Sequence, residues 1–280
     1  MILSEQKQKY LVPLLQGKKL GAFAVTEPSA GSDMGNQKTT AIDKGDYWLL
    51  NGSKIFITNG FYADTYFVTA VTDKTQGSRG ISAFIVEKGT PGFTFGTKEK
   101  KMGIRGSATY ELVFQDCKVP KENLLGELGK GFKMALIILD GGRIGVAAQA
   151  LGIAQSAIDH CKKYVTEHMQ GEQRISQYQF TQFELADMQA RVDAARLLVY
   201  RAAQAKRDHE PFSHLAAMGK LYAAEAATNV TRRCLQLAGY DGYSRDFPFE
   251  RLMRDAKITE IYEGTSEVQR MVISSWMGVK

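Results

Sequence analysis

The sequence predicts an α+β fold: an antiparallel β-sandwich or barrel domain followed by a C-terminal four-helix bundle. Three observations carry this. Between residues 20 and 120, runs rich in β-branched and aromatic residues alternate with Gly-containing loops, the pattern of paired strands. After Pro120 the composition shifts to helix formers, with GELGKGF at residues 126–132 as the joint. Beyond it, apolar residues such as Leu185, Met188, Val192, Ala195 and Val199 recur at intervals of three and four, the spacing of a helix that buries one face in a bundle.

In chain order, residues 6–15 have apolar positions compatible with a short helix, and Gly17 ends it. Residues 20–25 read as a buried strand closed by TEPSAGSD, residues 26–33. Its small residues allow a ligand to approach the backbone N–H groups, although a plain turn between strands has the same composition. Tyr47-Trp-Leu-Leu, Asn51-Gly52 and residues 54–58 read as a hairpin, because Asn-Gly suits a type I′ turn. Residues 65–71, 81–87 and 110–114 are further strands. Helical tracts follow over residues 130–167, 180–208, 212–237 and 249–261, the last continuing to Trp276.

The last tract holds the residue of most chemical interest. Apolar residues Phe249, Leu252, Met253 and Ala256 carry a helical period that Gly264 breaks, so Glu263 sits at a break. Ser266 and Gln269 have the spacing of a capping box, so a second helix is expected to start at Ser266. A carboxylate held between two helices is easier to desolvate than one on an open helix face, and desolvation moves a carboxyl towards the pKa of a useful base. A helix corner carrying an exposed Glu would give the same pattern.

Composition narrows the function classes. The chain of 280 residues is 44% hydrophobic and 24% charged, long enough for one large or two smaller domains. Charges near the start leave no signal-peptide apolar core, and the longest apolar stretch, residues 134–154, is interrupted by Asp140 and Arg143, so neither export nor a membrane span is expected. Cys117, Cys161 and Cys234 are odd in number and have no Cys-x-x-Cys spacing, which argues against disulfides and structural metal and fits a cytoplasmic protein. The net charge of +6 is dispersed, without the basic run expected of a nucleic-acid binder. No Gly-x-Gly-x-x-Gly follows a strand and the P-loop spacing fails, so neither a nicotinamide fold nor a P-loop is indicated.

Four runs, TEPSAGSD (residues 26–33), FITNG (56–60), LDGGRIG (139–145) and IYEGTSE (261–267), resemble in order and spacing the acyl-CoA dehydrogenase family, short-chain or butyryl-CoA branch. By that resemblance, residues 1–19 are the end of the family's N-terminal helical domain, most of which is lacking, residues 20–120 its β-domain and residues 121–280 its helical bundle. The resemblance implies FAD-dependent α,β-dehydrogenation of a short-chain acyl-CoA to the trans-2-enoyl-CoA, with hydride passing to flavin N5 and electrons to an electron-transfer flavoprotein. It assigns the base to Glu263. Some branches carry the base instead at the position of Gly142, which cannot act.

The same resemblance places Val25, Thr26, Gly31, Ser32, Phe56, Ile57, Thr58, Thr265, Ser266 and Glu267 on the flavin, and Ser32, Asp140, Arg143 and Gly264 on the substrate. Gln236 and Gly239 match positions that reach a neighbouring subunit's FAD, which implies a homo-oligomer, dimer or tetramer. Departures fall in that neighbour-supplied half: His168 stands for the usual Arg, Gly171 for Phe and Tyr240 for Gly. A degenerate or truncated relative that binds a partner or ligand with little turnover is therefore the alternative.

Overall fold

A computed structural model describes residues 4–279. They form two compact units, one of the residues up to Lys101 with Arg105–Ile137, the other of Met102–Ile104 with the residues from Ile138 onward. The first opens with helix α1 (Ser4–Gln6), a π-helical turn (Lys7–Leu11) and helix α2 (Val12–Leu15). Gly17, at φ +66°, takes the left-handed conformation past the helix end. The segment is tied to the sheet by a 2.7 Å ion pair between Lys9 and Glu87 and by the buried Tyr10.

Eight strands build the first unit: β1 (Gly21–Ala24), β2 (Thr40–Asp43), β3 (Tyr47–Thr58), β4 (Thr65–Val71), β5 (Ile81–Glu87), β6 (Phe93–Lys98), β7 (Thr109–Pro120) and β8 (Leu124–Leu125). The order is β6-β7-β3-β2-β4-β5-β8, with β1 also on β4. Most pairings are antiparallel, but β1 and β2 each run parallel to β4. Trp48, Leu50, Tyr66, Phe84 and Leu112 fill the core beneath the sheet.

Asn51-Gly52 is not a hairpin turn. β3 runs through it as one strand of 12 residues, and the pairing with β7 shifts register between Leu50 and Gly52. Gly52 is at φ +145°, and a Cβ there would lie 2.5 Å from Thr39 Oγ1 and 2.7 Å from Thr39 Cα. The glycine thus serves a bulge and a close approach, one of the alternatives to a turn that Gly in a strand pattern signals. Asn51 clamps the bulge, its Oδ1 accepting from the Asp116 backbone N–H at 2.8 Å.

The second unit is helical: α3 (Gly131–Glu167), whose first turns to Ile137 belong to the first unit, α4 (Gln179–Arg207), α5 (Ser213–Leu237), α6 (Gly239–Tyr243), α7 (Phe249–Lys257) and α8 (Ser266–Trp276). A two-stranded ribbon, β9 (Met169–Gln170) and β10 (Gln173–Arg174), turns at Gly171, φ +65°. The core draws Ala147, Ala154 and Ile158 from α3, Met188 and Val192 from α4, Ala227 and Val230 from α5, and Phe249 and Leu252 from α7. Among the described residues only α3 is long and apolar enough to cross a membrane, by length and composition alone. Of its apolar window, 28% is buried among the described residues. Cys117, Cys161 and Cys234 are buried and unpaired.

Candidate active site and ligand-facing loops

The break after α7 is built by backbone conformation. α7 ends at Lys257, a 3₁₀ turn covers Ile258–Glu260, and Glu263 and Gly264 then follow each other in the left-handed region at φ +58° and +87°. A non-glycine residue there is uncommon and is held by its surroundings. Two donors hold it. Gln269 Nε2 donates to the Gly264 carbonyl at 2.7 Å and to the Glu263 carbonyl at 3.2 Å, and Lys220 Nζ, from α5, donates to the Gly264 carbonyl at 2.8 Å. Among the described residues the backbone N–H of Glu263 has no protein acceptor.

The expected capping box takes a different form. α8 does start at Ser266, but its N-cap is Thr265, whose hydroxyl accepts from the Val268 N–H at 3.3 Å. The two left-handed residues move the cap one position earlier, so Ser266 is already helical. Gln269 is then free to hold the turn instead of reaching back to the cap. The Ser266 hydroxyl is buried and unpartnered.

The Glu263 carboxylate lies against Gly142 on α3: a Cβ on Gly142 would stand 2.6 Å from Glu263 Oε2. Burial pushes the Glu263 carboxyl above its usual range, partly opposed by the Arg143 guanidinium and the Lys220 ammonium. Arg143 is itself only 4% exposed and pairs with Asp140 at 2.6 Å, one turn earlier on α3. Its Nε is buried without a partner. Tyr262, beside Glu263, hydrogen-bonds Gln149 of the same helix. The arrangement is a partly desolvated carboxylate with a free N–H at its own residue and cations placed nearby, suited to taking a proton from carbon next to a carbonyl.

In the first unit the TEPSAGSD loop is anchored from below. Glu27 N–H and Ala30 N–H each donate to the other's carbonyl at 3.1 Å, closing the turn over Pro28 and Ser29. The Glu27 carboxylate, 3% exposed, accepts from the N–H groups of Lys38 at 2.6 Å and Thr39 at 3.1 Å and from Lys54 Nζ at 2.7 Å. Burial raises its pKa, but the Lys54 charge and these donors outweigh that and hold it below the usual carboxylate range. Lys54 is fully buried and also donates to the Val25 carbonyl at 3.1 Å and to Gln37 at 2.9 Å. Val25 is buried, whereas Gly31 and Ser32 are exposed, with open space where a Gly31 side chain would project.

Two residues on from Lys54, Phe56 sits at φ +58°, where the pairing of β3 with β7 shifts register a second time. The irregularity reverses the alternation of the strand: Phe56 presents its ring to solvent, 60% exposed, Ile57 turns into the core and Thr58 is exposed. The predicted residues therefore fall into separate local groups. Val25, Thr26, Gly31, Ser32, Phe56, Ile57 and Thr58 lie in the first unit, and Asp140, Arg143, Glu263, Gly264, Thr265, Ser266 and Glu267 in the second. Gln236 and Gly239, at the end of α5 and start of α6, are exposed, and Tyr240 is 86% exposed. His168 stacks on Tyr164 at 3.8 Å between ring centroids, with Nδ1 hydrogen-bonded to the Tyr164 carbonyl at 2.9 Å.

Sequence reasoning missed Lys54, Glu27 and Lys220, and gave Gln269 a capping role where it holds the turn. Lys54 carried a signal, since it falls on the same alternation as the inward Trp48 and Leu50. Lys220 likewise lies on the Ala-rich inward face of α5.

The fold is that of an acyl-CoA dehydrogenase, and the chain belongs to that family. Residues 22–117 match the acyl-CoA dehydrogenase middle domain and residues 129–278 the acyl-CoA dehydrogenase C-terminal domain. It is 55% identical over 270 residues to the short-chain specific acyl-CoA dehydrogenase of Clostridium acetobutylicum, covering 96% of this chain and 71% of that one. Among solved structures it resembles butyryl-CoA dehydrogenase from Megasphaera elsdenii, at TM-score 0.97 and 55% identity, over 98% of this chain and 72% of that one. It also resembles, at TM-score 0.97 and 57% identity, a chain from work on the electron transferring flavoprotein of Acidaminococcus fermentans and flavin-based electron bifurcation, with the same coverage.

Proposed function

We propose that the protein catalyses FAD-dependent α,β-dehydrogenation of a short-chain acyl-CoA, with Glu263 as the base that removes the α-proton. The observation that carries the reading is the Glu263 turn: a carboxyl raised by burial, set against Gly142, with a backbone N–H that has no acceptor among the described residues. The carboxylate takes the α-proton. The Glu263 N–H donates to the thioester oxygen as negative charge develops there, and Arg143 and Lys220 favour the ionised form of the base. Asp140 and Arg143 serve the coenzyme A moiety, and Gly264 lines the acyl group.

FAD, when bound, supplies the acceptor for the β-hydrogen. The residues fit such a group on three counts. Phe56 offers an exposed aromatic face, with Ile57 and Thr58 continuing the strand, and the Gly31–Ser32 backbone is open beside Val25 and Thr26. The first turn of α8, capped by Thr265 and with the unpartnered hydroxyl of Ser266, suits a phosphate through its backbone, to which Glu267 contributes its main chain alone because its carboxylate would repel the phosphate. The exposed Gln236 and Gly239 support contact with the FAD of a second copy in a homo-oligomer. The likeness to the electron transferring flavoprotein work supports such a flavoprotein as electron acceptor. Three unpaired buried cysteines support a reducing, cytoplasmic location.

The visible spectrum of the purified protein before and after butyryl-CoA tests this reading. Bleaching of a flavin band in the wild type, abolished in Glu263→Gln by several orders of magnitude in rate, is the expected result. Near-normal bleaching in Glu263→Gln would refute the base assignment. A second reading, binding without turnover, draws on the 86%-exposed Tyr240 side chain at a family glycine position and on His168, whose Nδ1 is engaged by Tyr164. An unreactive yellow protein would favour it.

A further inference from the structure

Lys220 is among the largest fully buried side chains, yet it comes from α5 and not from the turn it contacts. Among the described residues its ammonium makes one hydrogen bond, to the Gly264 carbonyl at 2.8 Å. The Gln269 amide reaches the same oxygen at 2.7 Å, so two donors converge on the carbonyl that directly follows the base. Packing alone does not call for a lysine here, because an aliphatic side chain would fill the space without desolvating an ammonium.

The charged groups around it come from three further elements and the turn itself: Arg143 on α3, Glu260 on the 3₁₀ turn, Glu263, and Glu267 on α8. Burial, with Arg143, lowers the Lys220 pKa to about 8, while the three carboxylates pull it the other way. The ammonium thus has a neutral carbonyl as hydrogen-bond partner and the Glu263 carboxylate within electrostatic reach.

We infer that Lys220 is a positioning residue for the base: its ammonium, together with the Gln269 amide, holds the Gly264 carbonyl and so fixes the left-handed turn that sets Glu263 against Gly142. This rests on the reading of Glu263 as the base. Loss of the ammonium loosens the turn and removes a positive charge that favours the carboxylate form.

The test compares Lys220→Met and Lys220→Arg in the full chain. Glu263 is titrated by ¹³C NMR of glutamate-labelled protein without substrate, its signal assigned by its loss in Glu263→Gln. In Lys220→Met the midpoint moves up by about one pH unit, a tenfold change in proton affinity, and the rising limb of the pH profile for flavin reduction by butyryl-CoA moves with it. Lys220→Arg, which keeps the charge, leaves the midpoint in place. A packing role predicts the reverse order, because Met fits the space vacated by Lys whereas Arg overfills it. An unmoved midpoint in Lys220→Met overturns the inference. If Lys220→Met does not fold, Lys220→Gln, a neutral donor, is read by the same titration. Should Glu263→Gln reduce flavin normally, the proposed function fails at its base, while the titration, which needs no turnover, decides separately whether Lys220 holds the turn.

Discussion

Replacing Gly142 by Ala sets activity against stability at a single carbon. The added Cβ would stand 2.6 Å from Glu263 Oε2 and 3.2 Å from its Cδ, whereas ordinary contact begins at 3.4 Å. The carboxylate must therefore retreat by about 0.8 Å, and as the end of a flexible side chain it can do so without moving the backbone of α3. Misplacing a reacting group by about 1 Å costs roughly 100-fold in rate. Stability changes the other way, because Ala in a helix interior is favoured over Gly by about 0.5–1 kcal/mol. Stopped-flow measurement of flavin reduction by butyryl-CoA should show the roughly hundredfold fall with little change in KM, while the thermal midpoint stays level or rises. A variant as fast as the wild type would show that the carboxylate is not used where it lies against Gly142.

Three further perturbations test the structure around this site. The Glu263 carboxyl titrates higher in the fold than its ordinary value of 4.5, so the folded state loses stability as pH rises through the folded pKa. Glu263→Gln should match the wild type near about pH 4 and be the more stable at about pH 8 in urea unfolding, and equal stability at both would contradict the burial assigned to it. Lys54→Met leaves the buried Glu27 carboxylate without its counter-charge, at a cost of about 3–5 kcal/mol measured by denaturant unfolding. A neutral effect would mean that water reaches the pair. Gly52→Ala drives a Cβ into Thr39 at a φ of +145° and should cost roughly 2–5 kcal/mol. A substitution tolerated there would revive the hairpin turn.

What the sequence determined by itself is local or periodic. Strands β4 and β5 are found at the expected residues, because β-branched alternation bounded by Gly loops admits few other conformations. The helices from α3 to α8 follow the apolar period, and the break at Glu263 follows from Gly264, the residue best able to adopt φ +87°. Composition also told the β half from the helical half, since helix and strand formers differ in side-chain entropy and branching.

Tertiary structure decided what depends on partners distant in the chain. Whether Asn51-Gly52 turns or bulges depends on Thr39, against which a side chain at Gly52 would clash, and on Asp116, which Asn51 grips. That β1 and β2 run parallel to β4 depends on long-range pairing that no residue pattern within either strand encodes. The Glu263 carboxyl is raised only because the fold buries it, and it is restrained by Arg143, 120 residues earlier, and Lys220, 43 earlier. Desolvation and Coulomb energy depend on distance and burial in three dimensions, and sequence separation sets neither.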